Sequence, residues 1–132
     1  MTSISVLGIY VQDQDEALDF YTKKLGFEVS ADHKNGNYRW LTVKLANQPF
    51  ELGLFLPQEP VLDAKTAATM REMVAKGAMP PLVLTVPDCR AAYDAFKARG
   101  VEFTQEPIAR FGGVDANFRD PSGNAWKMVE GR

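Results

Sequence analysis

Apolar residues follow two rhythms along this chain, and the rhythms alternate in the same order twice. Ile4 to Val11 is apolar and rich in β-branched side chains, so it reads as a strand. Asp13 suits a helix N-cap, and Glu16, three residues on, completes a capping-box-like pattern. Leu18, Tyr21 and Leu25 then recur at helical spacing, and Gly26 supplies the stop. Strands are expected from Phe27 to Ala31, Tyr38 to Leu45 and Phe50 to Leu56. The turn chemistry of His33-Lys34-Asn35-Gly36-Asn37 and Asn47-Gln48-Pro49 separates them. The first half is therefore β-α-β-β-β.

A helix follows from about Leu62 to Lys76, with Ala67, Met70, Met73 and Val74 on one face and Gly77 as its stop. The first order of elements then returns. Leu82 to Val86 reads as a strand, and Asp88 caps a helix that ends at Gly100. Val101 to Gln105, Val114 to Phe118 and Ala125 to Val129 read as strands, the last preceded by the turn Asp120-Pro121-Ser122-Gly123. The two halves also share letters. Val11-Gln12-Asp13, Ala17-Leu18-Asp19-Phe20-Tyr21 and Gly26-Phe27-Glu28 return about 75 residues later as Val86-Pro87-Asp88, Ala92-Tyr93-Asp94-Ala95-Phe96 and Gly100-Val101-Glu102.

The duplication predicts one domain over residues 1–132, made of a module at 3–57, a linker helix within 58–79 and a second module at 80–132. The expected class is α+β. Two β-α-β-β-β modules form a curved, cup-like mixed sheet with helices outside, and such a cup is a natural place for a small ligand.

Composition narrows the function classes. Hydrophobic residues make up 45% and charged residues 24%, as in ordinary globular proteins. The net charge of −2, with acids and bases mixed along the chain, gives no basic stripe for nucleic acid. No apolar run is long enough to cross a bilayer, so no membrane partner is expected. The start Met1-Thr2-Ser3-Ile4-Ser5 does not read as a signal peptide, and Cys89 is the only cysteine. Both features lead to an expectation of a cytoplasmic protein.

The run from Val11 to Phe27 carries the pattern V-x-D followed by F-Y-x-x-x-L-G-F, and Asp120-Pro121-Ser122-Gly123-Asn124 forms a D-P-x-G-N turn. On these residues the chain resembles the vicinal oxygen chelate superfamily over essentially its whole length. That group includes glyoxalase I, extradiol dioxygenases, fosfomycin-resistance transferases and bleomycin-resistance binding proteins. The resemblance implies a symmetric homodimer. In metal-dependent members it also implies a divalent ion held by His or Glu at a few inward positions. Carried over one by one, those positions fall on Val6, Glu51, Pro81 and Lys127. Only Glu51 has a side chain able to ligate a cation. No metal cofactor is expected.

Glu51 and Lys127 are the candidate catalytic or charge-pairing residues, with the Lys127 ammonium standing in for the missing cation. The alternative is that both sit in solvent with no specific role, since a one-residue slip turns either to the other face. Tyr10, Tyr38, Trp40, Phe55 and Phe111 lie on or beside cup-forming strands, as do Val6 and Pro81, and together they are the candidate pocket lining. Ordinary core packing is the competing reading for each aromatic. Trp40 beside Arg39 suggests stacking on a ligand or on a guanidinium. Arg110-Phe111-Gly112-Gly113 reads either as a flap or as a plain glycine turn. Cys89 reads as structural.

The functional expectation is a small-molecule binding protein of the bleomycin-resistance type, taking an aromatic or oxygenated ligand without metal. The alternative is an enzyme of lyase, isomerase or dioxygenase type, using Glu51 and Lys127 or an unrecognised metal site. A third reading is an interaction module whose cup is filled by its own side chains.

Overall fold

The duplicated pattern becomes a duplicated fold in a computed structural model that describes residues 1–110 and 112–131. The chain divides into two units, Met1–Glu72 and Met73–Arg132. The first contains β1 (Val6–Tyr10), α1 (Gln14–Asp19), β2 (Glu28–Asn35), β3 (Tyr38–Lys44) and β4 (Glu51–Phe55). The second contains β5 (Leu82–Val86), α3 (Cys89–Ala98), β6 (Phe103–Arg110), β7 (Gly113–Arg119) and β8 (Ala125–Glu130). Helix α2 (Ala64–Ala75) carries the boundary between the units. Each unit has its own four-stranded sheet, ordered β1-β4-β3-β2 in one and β5-β8-β7-β6 in the other. In both, the first strand runs parallel to the fourth and the remaining neighbours are antiparallel. The fold is α+β.

The caps read from the sequence act as caps. Asp13 Oδ1 accepts from the Glu16 amide at 2.9 Å, and Asp88 Oδ1 accepts from the Ala91 amide at 3.0 Å. These bonds satisfy amide donors that a helix start leaves without partners. Gly26 and Gly100 stop their segments with φ of +84° and +95°, conformations that a Cβ would strain. The first helix does not run as regular α to Gly26. It changes at Phe20–Lys24 into a π-helical turn, in which the Leu25 amide reaches the Phe20 carbonyl at 3.2 Å. Adjacent rings Phe20 and Tyr21 are both buried there, edge to face at 5.2 Å.

One face of each sheet makes the core. In the first unit Leu41, Val43, Leu52 and Leu54 are buried, along with Val11, Ala17, Phe20 and Tyr21. In the second, Leu84, Val86, Ala116, Phe118, Trp126 and Met128 are buried with Phe96 of α3, and Phe118 stacks on Trp126 at 5.9 Å. Strand residues alternate between faces, so the neighbours of these core positions carry the opposite faces. Before β8, Asp120 Oδ1 accepts from the amides of Ser122, Gly123 and Asn124 at 2.9–3.0 Å, and Oδ2 accepts from the Asn124 side chain at 2.9 Å. That is the physical content of the D-P-S-G-N motif.

Two strands run further than the local signals indicated. β2 continues through His33, Lys34 and Asn35, because the ladder to β3 offers partners to residues whose own propensity is for a turn. His33 is thus a strand residue, not a turn residue. β6 likewise extends past Pro107 to Arg110, with the register shifting around that segment.

Candidate functional site

The non-core face of the first sheet carries a row of rings. Tyr10 pairs with Phe55 across β1 and β4, and His33 pairs with Trp40 across β2 and β3. Thr42 pairs with Gly53, which places Trp40 beside Phe55, and their ring centroids lie 5.0 Å apart. Directly paired residues share a face. The row therefore crosses all four strands in the order Tyr10, Phe55, Trp40, His33. Trp40 is 37% exposed although its neighbours along β3, Leu41 to Val43, are buried. Tyr38, two residues from Trp40, is on the same face and exposed.

The next row is made small. It holds Gly8, Gly53, Thr42 and Ala31. A Cβ at Gly53 would run into the Phe55 ring, and one at Gly8 would stand 3.1 Å from it. The two glycines let the Phe55 ring lie along the sheet. Beyond them, Val6 pairs with Glu51. The Glu51 carboxylate accepts from the Thr42 hydroxyl at 2.5 Å. Hydrogen bonds from Ser30 and Thr42, with help from the Lys44 charge, hold the Glu51 carboxyl below its ordinary 4.5.

Arg39 does not stack on Trp40. Consecutive strand residues face opposite ways, and Arg39 is held on its own side by Asp32 through two bonds of 2.9 Å and by Asp15 at 2.7 Å. The forked geometry raises the guanidinium pKa and lowers that of Asp32. Trp40 is left to the ring row.

The second sheet presents a polar face at the same place in its topology. Asp115, 6% exposed, accepts from Arg110 Nε and Nη2 at 2.9 Å each, from Gln105 Nε2 at 3.1 Å and from Lys127 Nζ at 3.4 Å. Gln105 Oε1 in turn accepts from Asn117 at 2.9 Å and Arg110 at 3.2 Å. The Arg110 guanidinium first, then Gln105 and the Lys127 charge, hold the Asp115 carboxyl far below its ordinary 3.8 against the opposing effect of burial. This network borders a cavity of about 340 Å³ lined by Arg110, Gly112, Gly113, Val114, Asp115, Lys127, Val129, Glu130 and Gly131.

Of the residues expected from the sequence, Val6, Tyr10, Trp40, Phe55 and Glu51 share one face of the first sheet. Lys127 lines the cavity of the second. Pro81 is exposed, lies just before β5 and does not line that cavity; Val83 is the residue that pairs with Lys127. Phe111 lies outside the described residues. Glu51 and Lys127 belong to different units, and each has partners within its own. Asp115, Gln105 and Asn117 were not anticipated, and Arg110 was read only as part of a flap or turn, although Asp115 and Asn117 alternate with Ala116 and Phe118 in a plain period of two. Cys89 is buried, and burial pushes its thiol pKa up, with the Glu130 and Asp115 charges adding to the effect.

The metal site of the resembling family fails on donor chemistry. Valine and proline have no ligating group, and an ion-paired lysine repels a cation. Among the described residues, no group of three or more His, Cys, Asp or Glu is placed to hold a metal ion. No helix there is long and apolar enough to cross a membrane.

Comparison with known proteins gives the family. The sequence profile of the glyoxalase/bleomycin resistance protein/dioxygenase superfamily matches residues 3–128, and the chain belongs to that superfamily. The uncharacterised protein YurT of Bacillus subtilis (strain 168) is 35% identical over 96% of this chain and 98% of its own length. The crystal structure of UcmS2 is 42% identical with a TM-score of 0.91, covering 98% of each chain. TnmS3, an antibiotic binding protein from Streptomyces sp. CB03234, is 26% identical with a TM-score of 0.77, covering 100% of this chain and 98% of its own.

Proposed function

We propose that this protein is a binding protein for a flat aromatic small molecule, which stacks on the ring row of the first sheet and needs no metal ion. The carrying observation is the row Tyr10, Phe55, Trp40, His33, with Trp40 37% exposed above glycine-flattened sheet. Trp40 and His33 are exposed and Tyr10 and Phe55 half-buried, so the row offers π faces to a flat ligand. That TnmS3 is an antibiotic binding protein supports a sequestering or carrying role of this kind. The reading includes a homodimer in the cytoplasm.

Acid–base catalysis by Glu51 fits less well. A general base works best with a pKa near the working pH, and Glu51 is held in the opposite direction.

Tryptophan fluorescence tests the proposal. Trp126 is 5% exposed, so quenching by added ligand reports on Trp40. We expect 2-naphthamide to quench saturably, with its saturated decalin counterpart binding far more weakly. Trp40→Ala, followed by a competition assay, should cost about tenfold in affinity, roughly 1.4 kcal/mol. EDTA should leave binding unchanged. Equal affinity for the flat and saturated probes would sink the stacking proposal, and loss of binding in EDTA would sink its metal-free part.

A further inference from the structure

We infer that the cavity on the second sheet is a subsite for one acidic oxygen group, a carboxylate or phenolate on a small planar molecule, with the Lys127 ammonium as its anchor. Three observations on the second unit carry this, and none depends on the ring row.

The first is the division of labour around Asp115. Arg110 takes both carboxylate oxygens at 2.9 Å, and Gln105 adds a bond at 3.1 Å. Asp115 is well satisfied before Lys127 is counted. Lys127 reaches Asp115 only at 3.4 Å, is 38% exposed, and makes no other ion pair among the described residues. An ammonium has three donors in a compact charge. This one is aimed by Asp115 and left with donors to spare at the wall of a cavity.

The second is the wall itself. The cavity volume, about 340 Å³, is at the lower end for small-molecule sites. Gly112, Gly113 and Gly131 line it together with Val114 and Val129. A Cβ built on Gly113 would meet nothing within 4 Å, so the backbone there borders open space. Glycine backbone and valine methyls suit a thin apolar body, and one ammonium suits one charged oxygen group at its end.

The third is charge balance. Of the charged side chains among the lining residues, Arg110, Lys127 and Asp115 stand together on the cavity side of the sheet, whereas Glu130 shares the core face with Met128 and Val86. Arg110 is spent on Asp115. The Glu130 carboxylate faces the Cys89 amide at the first turn of α3, at 3.4 Å. One cation is left to answer a ligand. A monoanion matches it, whereas a phosphate dianion would bring a second charge with no cation to answer it.

Amide NMR of the intact protein titrated with sodium benzoate, and separately with benzamide, tests the assignment. The expected result is a saturable benzoate shift confined to Gly112, Gly113, Lys127, Val129 and Gly131, with benzamide at least tenfold weaker. Lys127→Met should lose at least tenfold in benzoate affinity, and Lys127→Arg should keep most of it. Matching affinities for benzoate and benzamide would overturn the subsite, as would undiminished benzoate binding by a well-dispersed Lys127→Met. Should Lys127→Met fail to fold, the wild-type benzoate-to-benzamide ratio still decides. Benzoate shifts at Trp40 and Tyr10 instead of the cavity would overturn this inference while leaving the stacking proposal standing.

Discussion

Asp115 shows how one side chain can organise a sheet face. A carboxylate this buried would be costly alone, and here four donors from Arg110, Gln105 and Lys127 compensate it. Its pKa is lowered on folding from 3.8, so folding favours the ionised form. The resulting stability is fully present above the unfolded value of 3.8 and erodes as pH falls below it toward the folded value. Asp32, lowered chiefly by its bonds to Arg39, acts in the same sense. Asp115→Asn should therefore cost about 2 kcal/mol near neutrality by urea unfolding. It should also flatten the loss of stability on the acid side, and an acid limb as steep as in the wild type would refute the assignment. This network was poorly legible in advance. The alternation in Val114 to Phe118 marked Asp115 as facing away from the core, but nothing local said that Arg110 would be its partner. Arg39 is the converse case. Its adjacency to Trp40 in sequence invited a stacking interaction that strand alternation forbids.

At the scale of elements, the ring row depends on a row of small residues beside it. Gly53 sits in mid-strand, where glycine ordinarily weakens a sheet and often marks a close approach. Here the approaching group is the Phe55 ring. Gly53→Ala should fold, because a ring can rotate where backbone cannot, but it should lift Phe55 from its place beside Trp40. The expected outcome is a stability change within about 1 kcal/mol together with a clear drop in naphthamide affinity and a shifted Trp40 emission. Unchanged emission and affinity would show that Phe55 does not depend on the glycine. The helices were easier to foresee than this row. Their caps and stops, Asp13, Asp88, Gly26 and Gly100, act within a few residues of chain. The π-helical turn at Phe20–Lys24 was not foreseen, since its reason is the seating of Phe20 and Tyr21 in the core.

Across the whole molecule, two copies of one topology have diverged on their non-core faces. One is aromatic, around Trp40, and the other is charged, around Asp115 and Lys127. The proposed homodimer is checked by sedimentation velocity, which should give twice the 14.7 kDa chain mass, whereas a single-chain mass at micromolar concentration would remove it. The sequence alone determined the repeat, the order of strands and helices, the caps, and the motif by which the chain joins its superfamily. All of these are written in spacings of a few residues, the range over which backbone propensity and capping act. The tertiary structure alone decided that His33, Trp40, Phe55 and Tyr10 stand in one row, that Lys127 meets Asp115, and that Arg39 turns to Asp32. Those neighbours are far apart or turned apart along the chain, and only the register between strands decides which side chains meet on which face.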